Sequence, residues 1–213
     1  SPTNIGLYLL STVAARDFGW IGLQAAVKRL ELTFSTLNKL AKYRGHLYNW
    51  YDTQTLETLK PEYVSSVDSG NLAGHLITLA NVFDEWQQMP ISHHFSMGMQ
   101  DNLILLNEAI SANTFTDATD AQTLNNIVAE ISTLINNPQS IEDIAPNILI
   151  LTEQALQLSM FDLLNDDTNC DDIRFWFEAI SKLTSEQLQD YQLNIISAQA
   201  DISLIHKLKK LHA

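Results

Sequence analysis

The sequence predicts an all-α fold of antiparallel helical hairpins. Apolar residues recur at three-then-four spacing in segment after segment, strand signals are scarce, and breakers such as Pro90 and the "NNP" of Asn136 to Pro138 stand where periodic runs stop. One tract, "RGHLYNWYDTQTLETLKPEYVSSVDSGNLAG" from Arg44 to Gly74, follows no apolar period. Compact domains rarely keep so long an irregular segment unless it lids or lines a site.

The first helix is expected from Asn4 to Asp17, with Thr3 or Asn4 as cap and Gly19 beyond its end. The next runs from Gly22 to Lys42, where Leu23, Ala26, Val27, Leu30, Phe34, Leu37 and Leu40 form one buried face. Beyond the irregular tract, Leu72, Leu76, Leu79, Phe83 and Trp86 resume that spacing until Pro90. Met99, Leu103, Leu106 and Ile110 make a short face, and Leu124, Ile127, Ile131 and Leu134 another. A helix from Ser140 to Leu164 carries Pro146 near its first turns, and "NCDDIRFWFEAISKL" starts at Asn169 or Asp171. A last, long helix begins at Thr184, with Leu188, Tyr191, Ile195, Ala198, Ile202 and Ile205 at heptad-like positions. That pattern fits a coiled coil or a helix packed on its neighbours, and the second is favoured. The fair strand candidate is "EYVSSV", in a short hairpin. No fixed-period repeat is present, so a solenoid is not favoured.

Composition narrows the function. The 213 residues suffice for one domain with a core, and no apolar run approaches the roughly 18 residues that cross a bilayer. A net charge of -13, with no Lys or Arg between Lys60 and Arg174, argues against nucleic acid, anionic membranes and phosphorylated ligands. A neutral ligand is compatible with that field. Cys170 is the single cysteine, so no intrachain disulfide forms, and a small residue near a helix start explains it better than a reactive thiol. All seven glycines fall at or before Gly98, which assigns the special turns to the first part and plain scaffold to the second. The opening "SPTN" has neither an initiating Met nor a basic leader, and is read as a cut inside a longer polypeptide.

Four of the six tyrosines, with Trp50, lie between Tyr43 and Tyr63, beside Asn49, Asp52, His46 and several hydroxyls. Flat aromatic faces next to amides and carboxylates suit a sugar ring, whose C–H face stacks while its hydroxyls need partners at fixed angles. An ordered structural loop is the alternative, with Asp52 and Asp68 turning or capping the backbone. Elsewhere, His75, His93 and His94 with Asp84 or Asp101 lack metal-ligand spacing, and surface or structural roles are favoured. Arg16 and Asp17 read as a charge pair aimed at the groove or as a helix-end pair, and the helix end is favoured. "RFWFEAI" cannot bury Phe175, Trp176 and Phe177 on one face, which points to packing against an adjoining module.

"SPTNIGLYLLSTVAARDFGW", "YRGHLYNWYDTQTLETL" and "YVSSVDSGNLAGHL" together resemble a stretch of the cyclic β-1,2-glucan synthases, more loosely continued at "GMQDNLILL". These large bacterial inner-membrane enzymes combine a processive glucosyltransferase, a central glucoamylase-like cyclisation module and a phosphorylase-like module. The resemblance implies the leading part of the central module, similar to an (α/α)6 barrel, on the cytoplasmic side of the membrane. It divides the chain into a glucan-groove half, 1–112, with its loop tract at 43–70, and a helical scaffold, 113–213. It further implies retaining transglycosylation, which closes a linear β-1,2-glucan on its own far end through a nucleophilic carboxylate and an acid/base carboxyl. The UDP-glucose donor and divalent metal belong to the glycosyltransferase module, so no cofactor is expected in this stretch. Its expected partners are β-1,2-glucan and the other modules of the same polypeptide.

The expected substrate-binding residues are Tyr48, Asn49, Trp50, Tyr51, Asp52, Ser66, Asp68 and Asn71, with Thr3 and Asn4 at the same groove end. The principal catalytic acids are expected outside this chain; within it, Asp68 and Asp52 are the candidates. The competing reading is a non-catalytic helical scaffold linking the glycosyltransferase and phosphorylase-like parts.

Overall fold

A computed structural model of the chain describes residues 1–88, 95–113, 115, 118–137, 140–158 and 170–199. Among them are seven helices: α1 (Pro2–Asp17), α2 (Leu23–Lys39), α3 (Ser66–Gln88), α4 (Phe95–Ala112), α5 (Ala118–Asn136), α6 (Ile141–Leu156) and α7 (Asp171–Gln199). Two strands of two residues each, β1 (Lys42–Tyr43) and β2 (His46–Leu47), pair antiparallel. The all-α expectation is borne out. The described residues form two compact units, one from residues 1–17 and 24–88, the other from 18–23 and those described between 95 and 199.

In the first unit α1 lies along α3. Thr3 meets Asn71, Gly6 meets His75 and Asp17 meets Trp86, so the two helices run parallel and their N-termini share one end. The return is made by α2 and the irregular tract. Pro2 takes the first helical position, where its missing N–H costs nothing, so α1 starts earlier than Thr3 or Asn4 as cap would place it. At the far end, buried Arg16 packs its guanidinium 5.1 Å from the Trp86 ring centre and 3.2 Å from Asp17 Oδ1. Trp86 Nε1 donates to the same Asp17 oxygen at 3.0 Å. The Arg16–Asp17 pair therefore belongs to the helix end.

The strand candidate was misplaced. "EYVSSV" forms no ladder: the Tyr63 carbonyl accepts from Asn49 N and α3 begins at Ser66. The hairpin lies instead at Lys42–Leu47, where Arg44 (φ 50°) and Gly45 (φ 87°) both take the left-handed conformation that a two-residue hairpin turn demands. The irregular tract accordingly ends near Ser65 rather than Gly74. Ser65 caps α3, its Oγ accepting from Asp68 N at 3.1 Å.

In the second unit α4, α5, α6 and α7 are neighbours in turn and α4 also packs on α7, closing a four-helix bundle. Met99, Leu106, Leu124, Ile131, Ile148, Ile173, Phe177 and Ile180 fill its centre. Ser140 caps α6 in extended geometry, its side chain accepting from Asp143 N. No break occurs at Thr184. Its hydroxyl donates to the Ile180 carbonyl at 2.8 Å and is buried, so "NCDDIRFWFEAISKL" and the long terminal run belong to one helix, α7, for as far as it is described. The expected positions Leu164, Asn169, Ile202 and Ile205 lie outside the described residues.

Candidate functional site

The tract between β2 and α3 is tightly bonded although it has no period. Tyr51 Oη accepts from Tyr48 N at 2.7 Å and donates to the Ala41 carbonyl at 2.6 Å. Trp50 O accepts from Leu59 N at 3.0 Å and Asp52 N donates to Glu57 O at 2.8 Å. Asp52 Oδ1 accepts from the amides of Gln54 and Thr55, both at 2.8 Å, which is an Asx turn. These amides, Thr55 first, lower the Asp52 pKa. Burial raises that of Tyr51 despite the opposing bond from Tyr48 N. Tyr51 Oη and Asp52 Oδ1 are thus engaged by nearby backbone.

Asn49 organises the rest. Its backbone N–H donates to the Tyr63 carbonyl at 2.9 Å, and only 5% of the residue is exposed. Its carboxamide fits one orientation, in which Nδ2 donates to Asp68 Oδ2 at 3.0 Å. Oδ1 then accepts from Trp50 Nε1 at 2.8 Å and Tyr63 Oη at 2.6 Å. One buried amide thus holds an indole, a phenol and a carboxylate together. Trp50 and Tyr63 remain 48% and 46% exposed. The indole is fixed by its edge with much of its surface open, which is how an aromatic platform for a sugar ring is built.

Asp68 occupies the first turn of α3, where amide dipoles favour a negative charge. Its pKa is lowered, first by the Ser65 hydroxyl, then by Thr3 and Ser1. Asn71 Nδ2 donates to Thr3 Oγ1 at 3.2 Å, tying the start of α1 to that of α3. Both candidate carboxylates are therefore ionised at neutral pH. They suit accepting hydroxyl hydrogens or acting as a nucleophile, whereas a general acid needs a raised pKa.

Among the expected residues, Asn49, Trp50 and Asp68 are in direct contact, and Asn71 adjoins through Thr3. Tyr48, Tyr51 and Asp52 build the adjoining loop, and Ser66 is exposed at the first position of α3. Asn4 is exposed, its N–H meeting Ser1 Oγ at 3.5 Å. Tyr63 and Ser65 were not anticipated as site residues. The S-x-x-D spacing of Ser65 to Asp68 carried the cap signal. Nothing local marked Tyr63, whose partner lies 14 positions away. No group of three or more His, Cys, Asp or Glu among the described residues is placed to hold a metal ion. His93 and His94 lie outside the described residues.

No protein-family model matches the chain. Over 113 residues it is 52% identical to the cyclic β-(1,2)-glucan synthase NdvB of Rhizobium meliloti (strain 1021). That match covers 52% of this chain and 4% of the relative, so the chain spans a small part of the relative's length. The resemblance to the cyclic β-1,2-glucan synthases is thereby borne out.

Proposed function

We propose that this chain is a piece of a cyclic β-1,2-glucan synthase and supplies glucan-binding loops to the module that cyclises linear β-1,2-glucan. The observation that supports the role is the locked, half-open Trp50 indole beside ionised Asp68, both held by buried Asn49. A glucose ring stacks its C–H face on Trp50 and directs hydroxyls toward Asp68, Asn71 and Tyr63. The charge of -13 repels anions and leaves a neutral polymer unopposed. Asp68 and Asp52 are both acceptors here, and the proton-donating acid of the retaining reaction comes from elsewhere in the synthase. Among the described residues no helix is long and apolar enough to cross a membrane. The piece works on the cytoplasmic side of the inner membrane, beside the modules that make and trim the chain.

Titration with linear β-1,2-glucan, followed through the four indole N–H resonances, tests the reading. The Trp50 signal moves and those of Trp20, Trp86 and Trp176 do not, while a β-1,3-glucan of equal length leaves all four in place. Movement of Trp20 or Trp176 alone would contradict the assignment. In an intact synthase carrying this stretch, Trp50→Ala lowers cyclisation by about ten-fold or more, the worth of one stacked aromatic, and spares polymerisation.

A further inference from the structure

The four helices of the second unit close around their own core, yet two of them carry a second apolar face. On α4, Ile104 and Leu105 are 56% and 39% exposed, and on α7 Phe175 is 59% exposed. None is needed by the closed bundle. Together with Trp20, Trp176 and Ala179 they line a cleft of about 640 Å³.

The cleft is built. Trp20 Nε1 donates to Asp101 Oδ2 at 2.8 Å, and Phe18 stacks on the Trp20 ring with centres 5.2 Å apart. The segment bearing Trp20 is fixed from below: a Cβ at Gly98 would fall 1.9 Å from Gly19 O, so the two backbones touch. Beyond Trp20, Gly22 N donates to Glu186 Oε2 at 2.8 Å. The polar groups at the cleft are already engaged, Asp101 by Trp20 and nearly buried Asn102 by the Gly98 carbonyl at 2.6 Å. A glucan, whose hydroxyls need partners all round, finds few here; an aliphatic surface is well served.

Shape and charge narrow the occupant further. Positions 101, 104 and 105 of α4 and 175, 176 and 179 of α7 share one helix face each, so the cleft is a trough between two packed helices. Ridges of a third helix seat in such a trough, and recognition of helices in grooves works this way. The described residues of this unit carry twelve Asp or Glu side chains against Arg174 and Lys182. An acidic helix or an anionic lipid surface is repelled by that field.

We propose that this trough docks an amphipathic α-helix of a polypeptide partner, aliphatic on its inward face and bearing Lys or Arg along its flanks. The inference goes beyond the glucan reading and does not depend on it.

The test uses the whole chain and two synthetic helical peptides of about five turns, alike in their Leu/Ala face but flanked by Lys or by Glu. By calorimetry and Trp fluorescence the Lys-flanked peptide binds one to one, about ten-fold or more tighter than its Glu twin, and the gap narrows as salt rises. The double variant Ile104→Ser, Phe175→Ser weakens it by about ten-fold or more with an unchanged circular dichroism spectrum, since both side chains are exposed. Three controls stand beside it: linear β-1,2-glucan, vesicles of phosphatidylcholine with phosphatidylglycerol, and sedimentation of the chain alone. Equal binding of both peptides, no binding of either, or indifference to the double variant overturns the proposal. So does occupation of the face by glucan, vesicle or a second copy of the chain.

Discussion

Asn49 and Asp68 carry the site at the scale of single residues. Truncating Asn49 to Ala removes the buried amide that Trp50 Nε1, the Tyr63 hydroxyl and one Asp68 oxygen share, and water takes its place at these half-exposed groups. The loss is about 0.5–1.5 kcal/mol, the net worth of a typical hydrogen bond whose partners can turn to water, read from the urea midpoint at constant slope. For Asp68, a folded pKa held below the ordinary carboxylate range means that its contribution is complete at and above that range. It is lost as pH falls through the folded value. Asp68→Asn should therefore flatten the acid limb of Tm against pH while changing the neutral plateau less; a limb as steep as wild type would contradict this. Asp52 titrates with the same sign and stays in that variant, so flattening is partial. The Asp52 turn was legible because its partners are two and three residues away. The Asn49 network was not, because Tyr63 and Asp68 meet it only after the tract has folded back onto the start of α3.

Elements were legible where the apolar period was clean and misread where a polar residue imitated a boundary. The faces of Met99 to Ile110 and Leu124 to Leu134 appear as α4 and α5. Thr184 suggested a start because Thr often caps helices, but an internal bond to Ile180 absorbs its hydroxyl. The glycines show the opposite limit. Sequence says that a glycine permits close approach and cannot say to what. Gly6 permits His75: a Cβ there would lie 2.1 Å from Nδ1 and 3.1 Å from the His75 Cβ. Gly6→Ala should cost about 1–3 kcal/mol, the range for overpacking, and His75→Ala should relieve most of it in a double-mutant cycle. Additive losses would show that the two helices do not touch there. At Gly98 the obstacle is the backbone of Gly19, so Gly98→Ala has no side chain to relieve it, and Trp20 should lose its bond to Asp101. An indole N–H resonance shifted toward its free-solvent position would report that loss.

For the molecule as a whole, the all-α class and the uneven charge were readable from composition and period alone. The parallel pairing of α1 with α3 was not, because neighbours in space here are not neighbours in sequence. That pairing is what brings two helix N-termini, Asp68 and the Trp50 platform to one end of the first unit. On the proposal above, this end receives an uncharged glucan. Calorimetric affinity for linear β-1,2-glucan, compared between the wild-type chain and Trp50→Ala at matched circular dichroism, tests it most directly. Binding is measurable and falls by about ten-fold or more in the variant, the loss expected for one stacked aromatic. Equal affinity in the two proteins would contradict it.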